Sequence, residues 1–289
     1  MAGLLEAIAS QELIRNAFLA GLLASVACGM VGSYVVTRRI SYIAGAIAHC
    51  VLGGMGAAWY LRTAHGLARL HPLHGAVVAA LAAAVVIGLV SLRARERADT
   101  VIGAVWAIGM AIGLLFIQAA PSYPPDLMSY LFADILMVRT SDLALVMGLD
   151  VLVIVLASLF YNQFLAVCFD EEFARLRGMK VEFYYLLLLC LTALTVVLLV
   201  AVVGVVLVIA LLTLPAAVAG RFSRTLWQMM AGAVALCAAL TCGGLAASYS
   251  LEWPSGPTII VLAGAVYLGV ACGAGLLRRV FAGRAAQEA

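Results

Sequence analysis

Apolar residues run along this chain in long stretches, parted by short polar breaks that hold most of the charge. A helix needs about 17–25 mostly apolar residues to cross the hydrocarbon of a bilayer. The pattern predicts nine such helices, over roughly 17–36, 42–60, 75–92, 100–119, 142–166, 183–201, 204–220, 228–248 and 257–277. The two runs between 183 and 220 are nearly continuous, and a hairpin is expected near Val203 and Gly204. The expected fold class is all-α integral membrane: a polytopic bundle of about nine transmembrane helices, forming one domain over residues 1–289.

One stretch does not fit as a crossing. Residues 121–140, PSYPPDLMSYLFADILMVRT, are apolar for only about 12 residues, shorter than a span requires. A short helix over about 124–138 is expected, lying on or dipping into the outer face. Asp126 is placed to cap its first turn, and Asp134 follows two turns later. Irregular backbone at membrane depth is tolerated only where protein or water covers it, so this element is expected to line a vestibule.

The polar breaks orient the bundle. With the N-terminus outside, thirteen of the 17 Lys and Arg residues fall on the cytoplasmic side, and only Arg15, Arg62, Arg69 and Arg139 stay outside. That excess predicts the N-terminus outside and the C-terminus in the cytoplasm. Glu6 and Glu12, rather than a basic segment, precede the first apolar run, so a cleaved signal peptide is not expected.

Composition closes off whole classes. Hydrophobic residues make up 66% of the chain and charged residues 11%, against roughly 25% charged in soluble domains. Lys180 is the single lysine and no basic–aromatic cluster exists, so nucleic-acid binding has no support. The cysteines (28, 50, 168, 190, 237, 242 and 272) lie mostly inside apolar runs without a CxxC pair. They read as small core residues.

Candidate chemistry centres on Ser41–Gly56, SYIAGAIAHCVLGGMG. At helical spacing Ser41, Gly45, His49, Gly53 and Gly56 share one face. Small residues let a second helix come close, or leave room for something to pass. An imidazole inside a span faces a bundle interior or an aqueous path. His49 is thus either a pathway residue or a neutral ring bonded to a neighbouring helix, and Cys50 beside it is the one cysteine of functional interest. Asp150 sits within the 142–166 run, where a carboxylate is costly unless paired or wet. Glu252, in SLEWPSGPT, stands at the outer mouth, where it either guides cations or faces water. His65, His71 and His74 share an outer loop without a supporting carboxylate, and Pro72 interrupts regular helix there. A solvated loop is favoured over a metal site.

The inside loop FDEEFARLRGMKVE, residues 169–182, has its own logic. Asp170, Glu171 and Glu172 open it, and Arg175, Arg177 and Lys180 follow. That order matches the dipole of a short helix stopped by Gly178. Phe173 and Leu176 form an apolar stripe, which suits a docking element for a soluble partner or a plain connector.

These stretches, taken in order, carry a likeness. GSYVVTRRISYIAGAIAH (32–49), RADTVIGAVWAIGMAIGLLFI (97–117) and DLMSYLFADIL (126–136) contribute to it. So do FDEEFARLRGMKV (169–181), ALTVVLLVAVVGVVLVIALLTLPAAVAGRFSRT (193–225) and WPSGPTIIVLAG (253–264). The chain resembles the membrane permeases of metal-ion ABC importers, the family that serves zinc, manganese and iron(II). The resemblance implies a type II ABC importer permease fold in a bacterial-type inner membrane. It also implies a second permease subunit, identical or different, a cytoplasmic ATPase dimer and an extracytoplasmic metal-binding protein. Residues 169–182 resemble the coupling segment that touches the ATPase, which assigns that role to Asp170, Glu171, Glu172, Phe173, Arg175, Leu176, Arg177 and Gly178. The candidate pathway residues are His49, Cys50, Asp134 and Glu252; the resemblance strengthens His49 as a pathway residue and metal ligand, while Cys50 stands where the family usually has a small residue.

One position departs from the family. Its members read like SYxGDxLAHA, with an Asp four residues before the His, and Gly45 stands there in this chain. A bare imidazole favours zinc over manganese, which prefers oxygen donors. The expected cargo is therefore a divalent metal, zinc first, carried as substrate with no resident cofactor. The alternatives are a permease for a chelated metal or other solute, and an ATP-independent channel or proton-coupled carrier using His49, Asp134 and Asp150. No GxxxxGK[ST] loop, HExxH or GxSxG motif occurs, so neither ATP hydrolysis nor intramembrane enzymology is expected of this chain.

Overall fold

The computed structural model describes residues 11–67, 70–93, 98–121 and 135–285. Eleven α-helices cover nearly all of them: α1 Glu12–Thr37, α2 Ser41–Ala64, α3 Pro72–Arg93, α4 Ala98–Ala119, α5 Thr140–Leu159 and α6 Tyr161–Phe169. They continue with α7 Glu171–Leu176, α8 Val181–Val203, α9 Val205–Phe222, α10 Leu226–Leu251 and α11 Ser255–Ala285. Among the described residues nine helices are long and apolar enough to cross a membrane, all except α6 and α7. Backbone groups in lipid must be satisfied within the segment, which is why apolar runs of this length fold as helix.

Two expectations change, and the expected break near Gly204 holds. The 142–166 run does not continue as one helix: it breaks at Phe160 (φ −105°, ψ 20°) into α5 and α6. Pro72 does not interrupt helix but starts α3, since a first-turn residue needs no amide donor. Residues 183–220 are divided at Gly204, whose φ of 89° and ψ of 158° lie in a region open almost only to glycine. Of the outer element expected over 124–138, the described part is a single 3-10 turn, Ile135–Met137, with Ile135 fully buried. Asp126 and Asp134 lie outside the described residues.

Close backbone approach holds the bundle together, because lipid tails supply no hydrophobic drive between helices. α1 is the central post, packing on α10, α9 and α5. Its Gly29 faces Val234 of α10, where an added Cβ would sit 2.5 Å from the backbone nitrogen. α2 packs chiefly on α4 and α3. A Cβ on Gly53 would come within 2.7 Å of the Gly109 carbonyl, and one on Gly56 within 2.5 Å of the Gly113 carbonyl. α1 and α2 are mostly covered by other helices, whereas α4 and α11 are largely uncovered.

Inside α9, Pro215 removes the amide that the Leu211 carbonyl would otherwise receive. The Cys237 thiol of α10 points to that carbonyl at 3.9 Å. Every cysteine is a free thiol, as the absence of paired spacing suggested.

Candidate functional site

Two places gather the chemistry predicted from sequence: the α2–α4 contact around His49, and the short helix α7 at one end of the bundle.

His49 is partly buried on the α2 face turned to α4. Its Nδ1 lies 2.8 Å from the Gly45 carbonyl one turn earlier. A carbonyl only accepts, so Nδ1 carries the proton and Nε2 is the nitrogen free to act as a ligand. The imidazole stacks on Trp106 of α4, with centroids 4.3 Å apart and planes inclined by 27°. The shared small-residue face exists, but only part of it is open. Gly53 and Gly56 are filled by the α4 backbone, while a Cβ at Gly45 would meet no atom within 4 Å.

Cys50 also turns toward α4, where its thiol donates to the Val105 carbonyl at 3.0 Å. Burial raises the barrier to using it as an open pathway ligand: it is 5% exposed, and its sulfur packs where Gly109 leaves space. In this single chain Cys50 packs between α2 and α4. Among the described residues no group of three or more His, Cys, Asp or Glu is placed to hold a metal ion. His49 therefore offers one donor, not a complete site.

Glu252 caps the end of α10 in the left-handed region (φ 56°) and is exposed. Beside it Ser248 donates to the Trp253 carbonyl. His71 and His74 are exposed, and the Nδ1 of each accepts a backbone amide, from Leu73 and His71 respectively, at 3.3 Å. His65 sits edge-on to Tyr60. These contacts fit a locally folded surface turn.

Asp150 is 5% exposed in the middle of α5, against α1 beside Cys28. Neither carboxylate oxygen makes a hydrogen bond of full geometry, although the Ala27 backbone of α1 approaches it. His49 faces α4 and Asp150 faces α1, so the structure does not bring together the two described members of the carrier reading.

The second site is α7. The Asp170 carboxylate accepts the Phe173 amide at 2.9 Å as the N-cap, and Gly178 ends the helix at φ 76°. Acids open it and Arg175 and Arg177 close it, as the dipole favours. Leu176 is 86% exposed and Phe173 50%. Arg177 lies over the Phe173 ring, beside a groove of about 700 Å³ shared with Asn162, Gln163 and Tyr184. Sequence reasoning missed what ties α7 down. Arg38, at the end of α1, pairs with Glu171 and lies over the ring of Tyr185 in α8. The exposed helix is thus bolted to two spans.

The ABC 3 transport family model matches residues 10–273. A probable metal transport system membrane protein of Chlamydia pneumoniae is 40% identical, over 88% of this chain and 87% of that protein. The manganese import system permease protein ScaB of Streptococcus gordonii is 30% identical, over 88% of this chain and 89% of its own length. Among solved structures, PsaBC from Streptococcus pneumoniae in complex with Fab superposes with a TM-score of 0.80 at 30% identity. That match covers 93% of this chain and 94% of the other.

Proposed function

Because this chain belongs to the ABC 3 transport family, we propose that it is the membrane permease of an ATP-driven importer for a divalent metal ion. The observation that carries this reading is a ring held for ligation inside a span: His49 with Nδ1 fixed on Gly45 and Nε2 left free. The metal-transport names of the relatives supply the class of cargo.

The ion passes between this permease and a second permease subunit, identical or different, and His49 supplies this subunit's donor. A loaded binding protein docks on the outer face near Glu252 and the 121–140 segment. The ATPase dimer engages Phe173 and Leu176 of α7. When the ATPases close, the Arg38–Glu171 pair and the contact with Tyr185 carry the movement of α7 into α1 and α8, rocking the helices around His49. Arg38, Arg39, Arg175, Arg177, Lys180, Arg221 and Arg224 gather at the α7 end, which we assign to the cytoplasm.

Two facts rank the cargo differently. Relatives named for a metal include manganese permeases. An imidazole whose helix face carries Gly45 instead of a carboxylate suits zinc better. We follow the donor chemistry and place zinc ahead of manganese and iron(II). His49→Ala is expected to abolish ATP-dependent metal uptake by proteoliposomes while the chain still co-purifies with its ATPase. Undiminished uptake would remove His49 from the pathway.

A further inference from the structure

The His49 ring has two restraints, and only one comes from its own helix. The Nδ1 contact to Gly45 sets where the ring pivots but leaves its tilt undefined. The tilt is set from α4, where Trp106 lies against the face of the imidazole. Trp106 is held in turn. Its indole N–H points to the Met110 sulfur at 3.3 Å, and its ring lies 5.7 Å from that of Tyr42. Trp106 also lines an open cleft of about 580 Å³ with Tyr42, Gly103 and Met110. His49 does not line that cleft, so the indole separates the imidazole from it.

The helices that carry the two rings touch through bare backbone at Gly53 with Gly109 and at Gly56 with Gly113. At those two points the contact is backbone on backbone, while the Cys50 thiol on the Val105 carbonyl and the Tyr60–Phe116 ring contact tie the same two helices.

We propose that Trp106 is a positioning residue for the transported ion. Its stacked indole fixes the direction of the His49 Nε2 lone pair and so sets the affinity of this subunit's donor. A tilt of α4 that withdraws the indole weakens the hold on the ion. This rests on the reading of His49 as an ion ligand. Ligating histidines are commonly oriented by a partner on the other nitrogen, and loss of such partners costs affinity. Here the carbonyl does half of that task and the indole the other half. Aromatic pairs of this geometry contribute enough to change binding by about threefold to tenfold.

Two measurements on the full chain, co-purified with its ATPase and held in nanodiscs, test this. In the first, Trp59, Trp227 and Trp253 are replaced by Phe, so that Trp106 is the sole indole of this chain, and the signal of the same complex carrying Trp106→Phe is subtracted. Its emission is followed as zinc, and separately manganese, is added. A saturable change is expected with at least one metal, and His49→Ala should abolish it. In the second, equilibrium dialysis measures binding of the same metal. Trp106→Leu should weaken binding about threefold to tenfold, Trp106→Phe should restore most of it, and His49→Ala should remove it. If His49→Ala eliminates binding but Trp106→Leu binds like the parent, or Trp106 emission is blind to the metal, the positioning role is overturned and the ligand reading stands. If His49→Ala binds metal as tightly as the parent, the ligand reading itself falls.

Discussion

Gly45 is the residue at which one substitution would most change the chemistry of α2. A side chain there enters open space, one turn before a ring whose Nε2 is free. Gly45→Asp is expected to fold normally and add an oxygen donor on the His49 face. Competition uptake should then shift toward manganese by about tenfold or more relative to the parent; an unchanged ratio would show that position 45 does not face the ion. Asp150 poses the opposite problem, a carboxyl buried without a hydrogen bond of full geometry. Asp150→Leu is expected to stabilise the solubilised chain by about 1–3 kcal/mol, seen as a higher midpoint of thermal unfolding. A lower midpoint would mean that the carboxyl is paired in the working protein. His49 was legible in the sequence because an ionisable residue inside an apolar run is costly and conspicuous. Trp106 was not, since an aromatic residue in a span reads equally as lipid-facing or as core. Cys50 stood out in the sequence for its place beside His49, whereas the carbonyl that satisfies its thiol lies 55 residues away.

At the scale of elements, run length was enough to find the nine spans, because lipid leaves a chain few other ways to satisfy its backbone. Breaks inside the runs were readable only where a residue marks them. Gly204 does so, and the backbone there needs glycine. Phe160 does not: no proline or glycine accompanies the division of α5 from α6, so the hydropathy pattern runs through it. Helix α7 was legible from its opening acids, closing bases and Gly178 stop, since these are local signals. Its anchoring by Arg38 was not, because the pair spans 133 positions. Phe173 and Leu176 present the exposed apolar surface of α7. Replacing both with Ala is expected to weaken ATPase binding about tenfold or more, measured by co-purification or by titration of the ATPase. Thermal unfolding of the permease alone should change little, because neither side chain is buried within it. Full retention of the ATPase would move the docking surface elsewhere.

At the scale of the whole molecule, a lone permease offers one imidazole and no complete metal cage among its described residues. The central claim is that this chain forms the path of an ATP-driven metal importer. The most direct test reconstitutes it with its ATPase and binding protein in liposomes and follows uptake of zinc, manganese, iron(II) and chelated metal, with and without ATP. The account predicts ATP-dependent accumulation of a free divalent ion, zinc foremost, that disappears with His49→Ala. Uptake that proceeds without ATP, or that is confined to a non-metal solute, would contradict it.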